Sequence, residues 1–194
     1  VYTRRATSVA VGTLAFAEAP GFPSQASLKT TLAGGKLSGT KIAVPDGNVA
    51  TFAVVAARSN AGISLALVDL AGRGVTRKAT ESIDPTRASA EISFKDAPAE
   101  LLGDEGRGWE LLERVLDRAA VIQAFEQLGG AERAFEITRD FTMGRYAFGR
   151  PIASFQALKH RMADLYVAIE LAKSNCFWAA WALSEDNPEL AIAA

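Results

Sequence analysis

Two arginines and a phenylalanine lie in a short break between two helix-forming stretches. The break reads RYAFGRP over residues 145–151. A plain turn between helices needs Gly, Pro or Asn, whereas a guanidinium can bind an anion through two parallel hydrogen bonds. This break could therefore hold an anionic group beside an aromatic ring. The residues alone leave a second interpretation open, in which Arg145 and Arg150 are solvated loop charges and Phe148 is a hydrophobic cap on the helices.

Other reactive side chains are few. Cys176 is the single cysteine and lies in a helical apolar stripe, which favours a buried, inert thiol. His160 is the single histidine, so neither a zinc site nor a conventional Ser-His-Asp triad is expected. Glu126 shares an apolar helical stripe with Ile122, and a carboxylate on such a face can have a raised pKa and act as a base. Glu126 is therefore a candidate base, although it could equally pair with an arginine or face solvent.

Composition and charge exclude several classes of protein. The 194 residues carry a formal net charge of −1, with 49% hydrophobic and 22% charged residues, as is ordinary for a globular protein. Such a charge creates no field that would gather nucleic acid or anionic lipid. The sequence has no apolar run long enough to span a bilayer, and its first residues do not form a signal peptide. We expect a cytoplasmic protein with no nucleic-acid partner and no membrane span.

The first half of the sequence has the pattern of a β-domain. Short segments rich in β-branched or aromatic residues recur at 11–18, 28–33, 40–44, 51–58, 62–69, 74–80 and 88–95. Turn signals such as Gly34-Gly35 and Asp84-Pro85 separate them. Because no helix pattern lies between them, we predict antiparallel pairing in a small barrel or sandwich over residues 1–104.

The second half, residues 105–194, has a helical period. The spans 107–143 and 154–185 predict two long helices, which a short connection would pack antiparallel. The second has a regular apolar seam at Leu158, Met162, Leu165, Ile169, Ala172, Cys176, Ala179 and Leu183. The fold class is therefore α+β, a small β-domain followed by long antiparallel helices of an incomplete helical bundle.

Two features of the helical half point beyond a simple pair of helices. Phe177, Trp178 and Trp181 supply apolar surface outside the seam, so we expect further helices from outside this sequence or from another subunit. The Gly129-Gly130 pair, costly in a helix interior, predicts a close helix–helix crossing or, alternatively, a kink.

Several motifs resemble those of the acyl-CoA dehydrogenase family. GRPIASFQALKHRMADLYVAIELAKS (149–174), preceded by Arg145 and Phe148, resembles the Arg-x-x-Phe-Gly-(Arg/Lys)-Pro loop and following helix of that family. The segments at 101–121, 37–47 and 84–98 resemble its first long helix and two strands of its middle domain. The resemblance covers nearly all of the chain and corresponds to the middle β-domain plus the first two helices of the C-terminal bundle. We therefore expect a fragment or a truncated subunit.

The resemblance implies a flavoenzyme that desaturates an acyl-CoA thioester between its α and β carbons. In the family a carboxylate removes the α-proton, FAD accepts the β-hydride, and an electron-transfer partner reoxidises the flavin. The resemblance places the diphosphate of FAD, held mainly by a neighbouring subunit, against Arg145. It places Phe148, Ile152 and Phe155 near the same cofactor, and it implies a homo- or hetero-oligomer, dimer or tetramer.

The chain departs from the family pattern at the positions nearest the flavin ring. In the first middle-domain loop Ala17 replaces a threonine, Glu18 is kept, and Ser24-Gln25 stands for the family's Ser-Asp pair, which leaves Ser24 as the candidate flavin ligand. After the family's Gly-x-Lys strand, Ala43 and Pro45 replace a tryptophan and a threonine. Alanine has no ring and proline has no N–H, so two flavin contacts are lost.

Two further departures fall on the first long helix. Asp117 matches the aspartate of an Asp-x-x-Arg pair in the acyl-CoA pocket and is the candidate substrate-binding residue, but Ala120 occupies the arginine position and Arg118 lies on another helix face. Ala119 occupies the position where some members carry the catalytic glutamate. No catalytic base is assigned.

The leading hypothesis is an acyl-CoA dehydrogenase-like flavoprotein, FAD-dependent and active on an acyl-CoA, with a degenerate flavin site. One alternative is a non-catalytic partner subunit that completes a neighbour's FAD site through Arg145 and Phe148. Another is a flavin-free interaction module.

Overall fold

The computed structural model describes residues 10–84 and 86–193. Contacts divide the chain into two compact units, one ending at Glu113 and one beginning at Arg114. Residues 1–9 of the predicted β-domain and Pro85 of a predicted turn lie outside the described residues.

The unit that ends at Glu113 is built from strands, and each predicted strand is present in the described residues. Their bounds are β1 Gly12–Ala15, β2 Thr31–Ala33, β3 Lys36–Pro45, β4 Phe52–Ser59, β5 Gly62–Asp69, β6 Val75–Thr80 and β7 Ser89–Leu102. β3 and β7 are longer than predicted, because both continue through glycine or proline positions where the pattern ends.

Five of these strands close into a barrel-like ring. β2 pairs with β3, β3 with β7, β7 with β5, β5 with β4, and β4 with β2. β6 and β1 lie outside the ring, against β7 and β4 respectively. Most pairings are antiparallel, as predicted, but β4 pairs in parallel with β1 and with β2. The exception arises because neither pair is joined by a hairpin, so no tight turn forces the chain to reverse between them.

Alternating side chains of the ring form the core. In β7, Ala90, Ile92 and Phe94 are buried, while Glu91 between them is exposed. The core also includes buried side chains from every other strand of the ring and from β1, among them Ala15, Leu32, Leu37, Val44, Ala53, Val55, Ala57, Ala66 and Val68.

The start of the first long helix is packed within this unit. α1 spans Gly108–Gly144, and a side chain at Gly108 would place its Cβ only 2.5 Å from the carbonyl carbon of Ser64. The Ser64 hydroxyl accepts a 2.8 Å hydrogen bond from the backbone N–H of Gly106. Glycine therefore lets the helix begin against β5, and Leu112 is buried one turn later. The domain boundary at 104/105 stays a prediction.

The unit that begins at Arg114 is helical. It contains the rest of α1, a small hairpin of β8 Tyr146–Ala147 and β9 Arg150–Pro151, then α2 Gln156–Ser184 and the short α3 Leu190–Ala193. Side-chain pairs join α1 to α2 and its end in reverse order along the sequence, at Arg118–Asp186, Phe125–Phe177, Glu132–Lys173 and Phe135–Tyr166. The two long helices are therefore antiparallel, as predicted.

The seam of α2 is covered only in part. Cys176 and Ala179 are buried, whereas Leu165 and Ala172 are exposed in the described structure. The predicted close crossing at Gly129-Gly130 is wrong for this chain, because a Cβ at either glycine would meet nothing within 4 Å. No helix in the described part of the chain is long and apolar enough to cross a membrane.

Candidate functional site

The break between α1 and α2 is a tight β-hairpin, which we call the arginine hairpin (residues 145–151). Tyr146 pairs with Pro151 and Ala147 with Arg150, which leaves Phe148 and Gly149 as a two-residue loop. Both loop residues have positive φ, 52° at Phe148 and 78° at Gly149. Positive φ at both central positions defines a type I′ turn, whose backbone twist suits a two-residue hairpin.

Phe148 is an unusual residue for the first position of such a turn. Asn, Asp and Gly are preferred there, and a residue with a Cβ in the left-handed region costs about 1–2 kcal/mol. The Phe148 side chain is nevertheless 95% exposed. A strained backbone that displays an apolar ring to the exterior indicates a contact with something other than the chain's own core.

Arg145 is held by its backbone and left free at its side chain. Its N–H donates to the Phe141 carbonyl at 2.9 Å, and its own carbonyl accepts from the Ile152 N–H at 2.8 Å. Its guanidinium makes no hydrogen bond or ion pair with any residue that the structure describes. Arg118, by contrast, is engaged at 2.9 Å by Asp186. Arg145 is therefore an exposed cation at a fixed position, as an anion-binding residue must be.

The remaining predicted residues of this region lie just after the arginine hairpin. Ile152 begins a short 3-10 helix, Ile152–Ser154, and Phe155 is the residue that precedes α2. The Phe155 ring meets the Phe148 ring edge-on, with centroids 6.1 Å apart and an interplanar angle of 83°. The structure therefore brings Arg145, Phe148, Ile152 and Phe155 into one contiguous segment.

In the β unit, Glu18 and Lys41 form a buried ion pair that sequence reasoning missed. The Lys41 Nζ lies 2.6 Å from the Glu18 Oε1, and the lysine side chain is 0% exposed. The Glu18 carboxylate also accepts the backbone N–H groups of Lys29 at 2.6 Å and of Thr30 at 3.0 Å. The pair therefore connects the loop after β1 to the start of β2 and to β3. The signal in the sequence was that Glu18 and Lys41 both match the family pattern.

Burial and hydrogen bonding oppose each other at this pair. Burial alone would raise the pKa of Glu18, but the hydrogen bonds from Lys41, Thr30 and Lys29 together outweigh it, so the pKa is lowered. Burial lowers the pKa of Lys41, and Glu18 offsets part of that effect. The arrangement is a structural clamp on the loop that carries Ser24.

Ser24 serves first as a helix cap. Its hydroxyl oxygen accepts the Ser27 N–H at 3.3 Å, while its own N–H donates to the Ser27 hydroxyl at 2.9 Å. This reciprocal capping box fixes the short 3-10 helix Gln25–Ser27. The Ser24 hydroxyl keeps its proton available for another acceptor.

The two substituted flavin positions lie in β3, Ala43 within a β-bulge and Pro45 at the end of the strand, paired with Ser89. The register with β7 shifts between Lys41 and Val44, and Ala43 within the bulge has φ of 50°. Ala43 and Pro45 border an open cavity of about 480 Å³, with Asp46, Ser82, Thr86, Arg87, Ala88 and Ser89. The backbone feature is present, but no aromatic ring or hydroxyl projects from these two positions.

The structure gives less support to the two candidate site residues on α1, Asp117 and Glu126. Asp117 is half-buried, and its neighbour Arg118 is engaged by Asp186. Glu126 is exposed, as is the stripe it shares with Ile122, which is 67% exposed. The described residues therefore do not enclose this stripe, and the role of Glu126 stays a prediction.

Known proteins resemble the helical half of the chain most specifically and one relative matches most of its length. Residues 106–194 match the family model described as acyl-CoA dehydrogenase, C-terminal domain. Acyl-CoA dehydrogenase IpdE2 of Mycobacterium tuberculosis is 44% identical over 93 residues, covering 48% of this chain and 26% of that protein. The mitochondrial short-chain specific acyl-CoA dehydrogenase of Rattus norvegicus is 32% identical over 193 residues, covering 92% of this chain and 47% of that protein.

A solved structure has a similar fold over both units. The crystal structure of an acyl-CoA dehydrogenase from Geobacillus kaustophilus matches with a TM-score of 0.87 and 26% identity, over 95% of this chain and 53% of that chain. The chain thus spans 26% and 47% of the length of the two curated relatives above.

Proposed function

Because the chain belongs to the acyl-CoA dehydrogenase family, we propose that it is part of an FAD-dependent enzyme that desaturates an acyl-CoA thioester. The observation that carries this proposal is the arginine hairpin. It displays the Arg145 guanidinium, which has no hydrogen-bond or ion-pair partner among the described residues, and an exposed ring at Phe148 on a strained two-residue turn. A cofactor with a diphosphate and flat aromatic rings is the ligand whose chemistry matches both side chains.

The residues of the helical unit fit FAD well. Arg145 would bind the diphosphate through charge-assisted hydrogen bonds, which are stronger than neutral ones. Phe148 would pack against the cofactor with one face of its ring, and Ile152 and Phe155 would line the same region. Since the Phe148 side chain is 95% exposed in this chain, we propose that these contacts are made to FAD bound mainly by a second subunit.

The β unit fits less completely. Ser24 retains a hydroxyl proton that could be donated to the flavin, in a loop held by the Glu18–Lys41 pair. Ala43 and Pro45 supply no stacking ring and no hydroxyl. We propose that the chain binds FAD with a reduced set of contacts to the isoalloxazine ring, so that the hairpin carries a larger share of the affinity.

When bound, FAD supplies the hydride acceptor that desaturation requires. The chain's own residues then bind and orient the two ligands. Asp117 is the proposed contact to the acyl-CoA on α1, and Arg145 neutralises the diphosphate. Ala119 has no group that could remove the α-proton. Glu126 stays a candidate for that base, and the role is not assigned.

Family relatives favour a dehydrogenase over a non-catalytic partner, since both curated relatives described above carry the name of the enzyme. The same family membership supports an oligomer and a separate electron-transfer partner. Exposed apolar side chains on α1 and α2, including Leu171, Phe177 and Trp181, are consistent with burial by another subunit.

The experiment that tests the function measures flavin chemistry directly. The purified protein, supplied with FAD, is freed of unbound cofactor, and its visible absorbance is recorded before and after anaerobic addition of short, long, branched and steroid side-chain acyl-CoAs. We expect bound flavin whose absorbance bleaches with at least one acyl-CoA and recovers with an electron acceptor. Flavin that stays oxidised with every acyl-CoA would contradict the proposed dehydrogenation, and protein without bound flavin would contradict the cofactor as well.

A further inference from the structure

The two arginines of the arginine hairpin differ in what they contact. Among the residues that the structure describes, the Arg145 guanidinium has no hydrogen-bond or ion-pair partner, whereas the guanidinium carbon of Arg150 lies 4.1 Å from the centroid of the Phe155 ring. A guanidinium at this distance over an aromatic face is attracted by the ring quadrupole. Arg150 is therefore engaged inside the hairpin segment, although sequence reasoning left it as a solvated charge or as a member of the cofactor loop.

The ring that Arg150 covers also touches Phe148. The Phe148 and Phe155 rings meet edge-to-face at 6.1 Å, with an interplanar angle of 83°. This is a favoured geometry for an aromatic pair. Arg150 and Phe148 flank Gly149 and both contact Phe155, so the three side chains form a continuous stack, which we call the Arg150–Phe155–Phe148 stack.

Phe148 needs such a support more than an ordinary surface residue does. Its φ of 52° is unfavourable for a residue with a Cβ, and its ring is almost wholly exposed. The Phe155 edge contact is the ring contact that the structure gives it. The direction of the Phe148 ring therefore depends on where the Phe155 ring stands.

The backbone of Phe155 is fixed by three hydrogen bonds. Its backbone N–H donates to the Ile152 carbonyl at 3.1 Å, and its carbonyl accepts the N–H groups of Leu158 at 3.1 Å and Lys159 at 3.0 Å. These bonds fix the backbone but not the ring, which is half-buried. The guanidinium over the ring face adds a contact that restricts its rotation.

We propose that Arg150 is a positioning residue, which stacks on Phe155 and thereby holds the Phe148 ring in the direction that meets the cofactor. Its charge acts within the stack and not on a phosphate. The inference rests on the proposed function only for its last step, the contact between Phe148 and FAD. The first step concerns the protein alone and can be measured without flavin.

The test of the first step uses fluorine NMR. Protein containing 4-fluorophenylalanine is recorded without FAD, and Phe148→Leu identifies the Phe148 signal by its loss. In Arg150→Ala the Phe148 signal should shift and narrow towards that of a freely rotating ring, while Arg150→Lys should move it part of the way. Arg145→Ala is the matched control and should leave the signal in place. An unmoved Phe148 signal in Arg150→Ala would overturn the positioning role.

The second step is tested by FAD affinity in a double-mutant cycle. Arg150→Ala should weaken FAD binding about two- to fivefold, the size of an exposed cation–π interaction, and Arg150→Lys should restore part of the loss. Phe155→Leu removes the platform, so adding Arg150→Ala to it should cause no further loss. Additive losses would overturn the proposal, because they would make Arg150 a direct ligand. A shifted NMR signal with unchanged FAD affinity would support the stack and contradict the proposed flavin contact.

Discussion

The unit that ends at Glu113 and the unit that begins at Arg114 bury their apolar side chains to different extents. The β unit closes a ring of strands around a continuous core, and it buries even an ion pair at Glu18 and Lys41. In the described helical unit, buried side chains are few, while exposed ones include Ile122, Phe141, Leu171, Phe177 and Trp181.

The difference separates a scaffold from an interaction surface. The β unit buries a continuous apolar core within its own ring of strands, so its stability should be set by its own contacts. The helical unit displays apolar helix faces and a strained aromatic turn. We therefore expect its stability to depend on contacts with a cofactor and with another subunit. Four changes test this comparison, in order of expected effect.

The largest effect should come from the buried pair of the β unit. Glu18→Gln leaves the Lys41 charge buried without its partner, so we expect the free energy of unfolding to fall by about 3–5 kcal/mol. The double variant Glu18→Gln/Lys41→Met removes both charges and should recover most of that loss. Denaturant unfolding monitored by circular dichroism gives both values. If the double variant is no more stable than Glu18→Gln, the two residues do not act as a coupled pair.

The second effect concerns the exposed apolar faces of the helical unit. Leu171 is 63% exposed, and if a second subunit covers it, Leu171→Glu should weaken self-association by about 1.5–3 kcal/mol, or at least tenfold. Val49→Glu is the matched control, because Val49 is 59% exposed on the β unit. Sedimentation velocity across a concentration series measures the association. If Leu171→Glu and Val49→Glu weaken self-association equally, the helical unit is not the preferred association surface.

Replacing a glycine by alanine should change the free energy of unfolding in opposite directions in the two units. A Cβ at Gly39 would lie 2.7 Å from the Thr30 Cα, so Gly39→Ala should destabilise the protein by about 1–3 kcal/mol. A Cβ at Gly129 meets nothing within 4 Å, so Gly129→Ala should stabilise α1 by about 1 kcal/mol. Thermal unfolding compares them. Destabilisation by Gly129→Ala would place another subunit against this position.

The smallest effect is the acid dependence of the β unit. The pKa of folded Glu18 is below its ordinary value of 4.5, so its contribution to stability is complete above pH 4.5 and is lost as the pH falls through the folded pKa. The free energy of unfolding of the wild-type protein should therefore approach that of Glu18→Gln as the pH falls below 4.5. Parallel pH curves for these two proteins would contradict the lowered pKa.

The elements of the fold could be predicted where the signal is local. Short segments rich in β-branched and aromatic residues between turn signals located the strands. The three-four spacing of apolar residues located the long helices, because burial of one helix face imposes that period. The parallel contacts of β4 have no local signal, since they depend on how distant strands meet. Periodicity also found the stripe of Ile122 and Glu126 but could not tell that this face is exposed, because coverage depends on neighbouring elements.

The candidate site was predictable in its residue types and not in its geometry. Family motifs singled out Arg145 and Phe148. The type I′ turn was not foreseen, since a phenylalanine at positive φ runs against turn preferences. The Arg150 stack and the Glu18–Lys41 pair depend on side-chain packing across residues that are not adjacent in sequence.

The central claim is that the arginine hairpin supplies an anion-binding contact to FAD. The direct measurement is the dissociation constant of FAD for the wild-type protein, Arg145→Ala and the control Arg133→Ala, whose arginine is paired with Glu136 on α1. Loss of a charge-assisted contact should weaken binding at least tenfold in Arg145→Ala, while Arg133→Ala should bind as the wild type does. Equal dissociation constants for all three proteins would contradict the account.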